Sequence, residues 1–188
     1  MIGHRLKELY TEWVENLEPT PFLRFMKYIQ QNKEEIGVAQ FFGKFRAFSF
    51  EEYIYRLLRR EVYIYKPLNV FWGKRSVVSI ERDGAYGVEV DIAIGTAIDA
   101  FVLPKIVVEA KVELDASRLK TALASFMLIK ACNKKARCFL VYIKQEVNPI
   151  LLSLAEKWID GTFMFDVGKE EEVLKFIEVI KEVLKRES

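Results

Sequence analysis

The chain reads as an α/β domain in which a mixed central sheet is flanked by helices. Two patterns carry this. Segments between residues 76 and 113 alternate apolar and polar side chains with the period of a strand, whereas flanking segments repeat apolar residues at helical spacing. A third observation fixes the class. "RCFLVYI" at 137–143 is a nearly unbroken apolar run, as expected for a strand covered on both faces, and it follows a helical segment.

Residues 3–17 place Leu6, Leu9, Tyr10, Trp13, Val14 and Leu17 on one stripe. "EPTP" ends that helix, and Pro21 suits the first turn of a second, at 21–35. "GVAQFFGKFRAF" contains Gly37 and Gly43 and predicts an irregular connection or a short helix. Ser49 and Glu52 form a capping box that starts a helix at 49–60. Strand-like segments follow at 61–72, broken by Pro67, and at 76–82; Asp83-Gly84 signals a hairpin turn. "AYGVEVDIAI" at 85–94 has apolar even positions and carries Glu89 and Asp91 on its odd positions. "GTAIDAFVLP" connects it to the strand at 105–113. A helix at 116–133, capped by Asp115 or Ser117, the strand at 137–143, a helix at 148–158, a strand at 162–167 and a closing helix at 169–186 complete the chain. The expected division is an N-terminal helical extension, 1–47, and a main domain, 48–188.

Composition narrows the function. With 51% hydrophobic and 30% charged residues over 188 positions, the chain can bury a substantial core. The net charge of +2 gives no global basic signature, so a nucleic-acid partner must rest on a local patch. One histidine and two cysteines exclude a Cys/His zinc site and a triad built on His4. Cys132 and Cys138 read as two small buried residues. The charged N-terminal segment does not resemble a signal peptide, and there is no long apolar run, so a cytoplasmic protein with no membrane partner is expected. Abundant Lys and Glu with few Asn and Gln suit a thermophile.

Glu109 and Lys111 lie two residues apart on the polar face of "KIVVEAKVEL". If the strand carrying Asp91 is its neighbour, Asp91 and Glu109 converge on one side of the sheet. Two adjacent carboxylates repel unless a cation or proton lies between them. Mg²⁺ or Mn²⁺ suits oxygen donors, with the Ala110 carbonyl as a third ligand. Lys111 could then stabilise a hydroxide or the charge developing on a phosphate. Glu51 lies on the stripe of Ile54 and Leu58, where a carboxylate is costly unless used, whereas Glu52 is satisfied by the capping box and by Arg56. Glu89 and Glu113 read as flanking surface charges. Lys44, Arg46, Arg56, Lys74 and Arg75, interleaved with aromatic residues, form a candidate nucleic-acid surface. The alternative reading of Glu109 and Lys111 is a solvated strand face with a simple ion pair, and a charged protein surface explains the basic residues equally.

The helix "FEEYIYRLL", the strand "GVEVDIAI" and the strand "IVVEAKVEL" followed by "LDASRLKTALASFMLIKA" resemble the PD-(D/E)XK nucleases over residues 49–143. The resemblance implies the restriction-endonuclease-like fold, an αβββαβ core, here with extra N-terminal helices and a C-terminal helix. It implies a Mg²⁺-dependent nuclease acting on DNA, with Asp91, Glu109 and Lys111 as its acidic and E-x-K residues. Glu51 matches the first-helix glutamate and would reach the metal through a water. Val90 stands where many members have Pro. The alternatives are a catalytically inactive binding or scaffold module of the same fold, or an unrelated α/β domain. The C-terminal helix reads as core packing first and as a homodimer contact second.

Overall fold

A computed structural model describes residues 2–81 and 84–185. Four helices come first: α1 (Ile2–Asn16), α2 (Pro19–Gln31), α3 (Lys33–Ile36) and α4 (Ala39–Glu61). Then follow β1 (Asn69–Glu81), β2 (Gly84–Ile98), β3 (Phe101–Leu114), α5 (Ala116–Cys132), β4 (Arg137–Gln145), α6 (Pro149–Ala155), β5 (Gly161–Met164) and α7 (Glu170–Lys185). The expected turn at Asp83-Gly84, and the last residue of the helix expected to end at 186, fall on or next to positions outside the described residues.

The sheet is mixed and runs β1-β2-β3-β4-β5. β2 pairs antiparallel with β1 and with β3; β3, β4 and β5 pair parallel; and a parallel bridge at Ser76–Val102 also joins β1 to β3. Connections dictate this. β1, β2 and β3 are joined tightly enough for antiparallel neighbours, whereas α5 and α6 supply the crossovers that parallel strands need. The segment expected to connect β2 to β3 belongs mostly to the strands themselves, which continue to a tight turn at Asp99-Ala100, where Asp99 takes a positive φ of 50°.

One face of the sheet packs Ile92, Ile94, Ile106 and Val108 against α1, α2, α4 and α7 through Trp13, Phe22, Phe50, Ile54 and Phe176. The other packs Ala93, Val107, Cys138 and Leu140 against α5 and α6 through Leu119, Phe126 and Leu152. β3 is therefore covered on both sides: residues 106–110 are all buried. This overturns the solvated-face reading of that strand. Glu109 is only 5% exposed.

The capping box at Ser49 does not form. α4 runs unbroken from Ala39, and Ser49 is buried in mid-helix, its hydroxyl donating to the Phe45 carbonyl at 2.8 Å. Glu52 instead accepts from Tyr10 at 2.9 Å and from Arg56 at 2.8 Å. Gly43 costs a helix about 1 kcal/mol, but Phe42 and Phe45 pack against the core and hold the added turns in place. Asp115 does cap α5, accepting from the Arg118 amide. Cys138 is buried as expected, but Cys132 is exposed at the end of α5; both are free thiols. No described helix is long and apolar enough to cross a membrane.

The β2–β3 register shifts between Ile94 and Gly95. A Cβ at Gly95 would lie 2.2 Å from the Leu103 carbonyl oxygen, which belongs to the sheet and cannot step aside. Gly95→Ala is expected to destabilise the chain by about 3 kcal/mol, the upper end of overpacking costs; a melting temperature within a degree of wild type would contradict this close approach.

Candidate active site

The β2–β3 ladder stops at the pair Ile92–Val108. Beyond it β2 stays with β1 and β3 stays with β4. Where two strands part, a backbone amide loses its ladder partner and needs another acceptor. Asp91 supplies it: its Oδ2 accepts from the Ala110 amide at 2.7 Å. The fork thus holds Asp91 against β3 at the level of Glu109 and Lys111.

Lys111 joins the group. Its Nζ lies 2.8 Å from Asp91 Oδ2 and 2.6 Å from Glu109 Oε2. Burial pulls its pKa down, but the two carboxylates outweigh burial and hold it above its ordinary value. Lys111 is therefore a fixed cation across the physiological range. Burial, and then the Asp91 charge, push the Glu109 carboxyl up to about 7, against relief from Lys111.

Glu51 approaches from α4. Its Oε2 accepts from Trp72 Nε1 on β1 at 2.8 Å. Burial and the Asp91 charge raise its pKa to about 7, with the Trp72 hydrogen bond and Lys111 opposing. Asp91, Glu109 and Lys111 thus meet at the fork, and Glu51 from α4 stands close enough to feel the charges of Asp91 and Lys111. The sequence missed Trp72, because only the β1 register places it opposite Ile92, next to Asp91.

The flanking residues divide. Glu113 is not a free surface charge: it pairs with Arg46 at 2.5 Å, and that arginine side chain is only 13% exposed. Arg56 is held by Glu52. Lys44, Lys74 and Arg75 are exposed. Glu89 is exposed opposite Arg75.

The donor set fits a hard divalent cation. Asp91 and Glu109 already converge on one positive centre, the Lys111 ammonium. Among the described residues no group of three or more His, Cys, Asp and Glu side chains is placed to hold a metal ion. Mg²⁺ does not require three such side chains, since it typically takes one or two carboxylates and completes its shell with water or substrate phosphate.

No protein-family model matches the chain, and no curated protein matches its sequence. Its fold is similar to that of a solved structure described as "native BbvCI A2B2 tetramer at low resolution", with a TM-score of 0.66 and 12% identity. The match covers 98% of this chain and 88% of that one. At this identity the likeness speaks to the fold alone, and that fold is restriction-endonuclease-like: a mixed five-stranded sheet flanked by helices.

Proposed function

We propose that the chain is a metal-dependent nuclease that hydrolyses phosphodiester bonds, with DNA as its substrate. The observation that carries this reading is the meeting of Asp91, Glu109 and Lys111 at the β2–β3 fork, with Glu51 beside Asp91, in a restriction-endonuclease-like fold.

Asp91 and Glu109 would hold Mg²⁺ or Mn²⁺, with the Ala110 carbonyl as a third protein ligand. Bound there, the ion supplies Lewis-acid charge to the attacked phosphate. Glu51 titrates near neutrality, so it can accept a proton from the attacking water, and the Trp72 N–H fixes the orientation of its carboxylate. Lys111 keeps its proton, so it acts as a donor to a phosphate oxygen as negative charge builds and not as the base. Exposed Lys44, Lys74 and Arg75 would track the backbone. Arg46 and Arg56 would contribute through ion pairs they already make with Glu113 and Glu52.

Glu51→Gln tests the base. It is expected to lower kcat by about 10²–10⁴, the range for general-base catalysis, and to flatten the rise of rate with pH near 7. An unchanged pH profile would remove Glu51 from this role.

One observation favours a second reading, an inactive nucleic-acid-binding or scaffold module. Lys111 alone bridges both carboxylates, so part of their charge is compensated without a metal. Calorimetric titration with Mn²⁺ separates the two: heat lost in Glu109→Gln supports the nuclease, and no heat at millimolar Mn²⁺ supports the module.

A further inference from the structure

α4 carries an exposed aromatic stripe that leads to the carboxylates. Phe41 is 55% exposed and Phe48 58% exposed. They are seven residues apart, two helical turns, so they share a face and are separated by about 10 Å along the axis. Lys44 lies between them on that face and Glu51 follows three residues after Phe48, at positions that line up on one side of a helix. Neither ring is loose. Phe41 stacks on Phe45, with centroids 6.1 Å apart and planes 4° apart. Phe48 meets Trp72 edge-on at 6.2 Å, and the same Trp72 donates to Glu51. Lys44 is exposed on α4, and Lys74 is exposed on β1 two residues after Trp72.

Core packing does not explain rings that are more than half in water, nor cations beside them. Nucleic acid explains both: base faces stack on aromatic rings while lysines meet phosphates. A duplex hides its base faces, so only unpaired bases can use these rings. An isologous contact with a second copy, by contrast, would bring lysines of the same face together and cover the approach to Glu51.

We propose that the Phe41–Phe48 face of α4, with Trp72 behind it, is a stacking platform for unpaired bases, making single-stranded nucleic acid the preferred substrate class. This rests on the nuclease reading for its consequence but not for the binding itself.

The test is fluorescence anisotropy in EDTA, with a labelled single strand on the order of 20 nucleotides, longer than most single-strand sites, and its blunt duplex. Wild type is expected to bind the strand more tightly than the duplex. Phe41→Leu/Phe48→Leu keeps apolar bulk but removes the ring faces; at about 1–3 kcal/mol per stacked base it should lose about tenfold or more on the strand, with duplex affinity unchanged. Phe48→Trp should retain strand binding. Equal wild-type affinity for strand and duplex, or full strand affinity in the double variant, would overturn the platform. So would a wild-type dimer in sedimentation equilibrium that the double variant dissociates. Ring-dependent strand binding without any Mg²⁺-dependent cleavage would support the platform and overturn the nuclease; cleavage of single strands indifferent to both substitutions would overturn the platform alone.

Discussion

Asp91→Ala is expected to lower Mg²⁺-dependent cleavage by at least about a hundredfold, the scale on which a single preorganised charge-stabilising group acts. The structure adds a second consequence. Asp91 is also the acceptor for the Ala110 amide at the fork, so the alanine variant leaves a partly buried N–H without its partner. An unsatisfied buried donor costs about 1–3 kcal/mol, so this variant should melt earlier as well. Asp91→Asn separates the effects, because it keeps a carbonyl oxygen for Ala110 while removing the charge. It should melt closer to wild type than Asp91→Ala and remain equally inactive. Activity is read by cleavage of labelled DNA and stability by thermal melting. Cleavage that persists in Asp91→Asn with its Mg²⁺ dependence unchanged would remove Asp91 from the site.

Lys111→Ala is expected to be inactive and also destabilised, by about 3 kcal/mol, the lower end for removing one partner of a buried ion pair. The lower end applies because Lys111 and Asp91 keep 19% and 20% of their side-chain surface in water. The loss depends on pH. The Glu109 carboxyl is raised from its ordinary 4.5 to about 7 in the folded chain, so the folded state holds that proton more tightly than the unfolded state does. Its contribution to stability is complete below about pH 4.5 and is lost as pH rises through 7. Removing Lys111 takes away the charge that opposes this, so the variant should fall further behind wild type at pH 8 than at pH 5.5. Melting curves of the metal-free proteins at both pH values test it. Mg²⁺ at pH 8 should narrow the gap. A gap independent of pH would mean that Glu109 does not carry the uncompensated charge.

Much of the fold could be read from local patterns because those patterns coincide with the packing. Ile92, Ile94, Ile106 and Val108 share one face as the alternation implies, but Val88 and Val90 pack on the opposite, α5 side, so the even positions of β2 do not form one face. "RCFLVYI" is largely buried, as its unbroken apolar run requires. The failures have a common cause: tertiary contacts that no short window contains. Gly43 and the Ser49–Glu52 spacing argue locally for a helix that starts at 49, but Phe42 and Phe45 extend it to Ala39 through contacts with distant parts of the chain. Val107 packs in the core on the α5 side and Glu109, two residues on, is buried, which the charged neighbours on that face did not reveal.

The candidate site was legible to the extent that it follows from strand order. Asp91 meets Glu109 because β2 and β3 are neighbours, and Glu51 stood out as a carboxylate on an apolar stripe. The capping-box argument that separated it from Glu52 was wrong, although Glu52 is indeed occupied, by Arg56 and Tyr10. What the sequence could not supply was the fork. The parting of β2 and β3 after Val108 creates the unpaired Ala110 amide that holds Asp91 in place, and the β1 register brings Trp72 to Glu51.

The most direct test of a shared metal site is anomalous diffraction from crystals soaked in Mn²⁺. A single cation held by the fork predicts a peak about 2.1 Å from carboxylate oxygens of both Asp91 and Glu109, at hard-cation ligand distance, with no peak there in Asp91→Asn. Crystals in which Mn²⁺ binds elsewhere, or in which Lys111 still bridges the two carboxylates with no ion beside them, would contradict it.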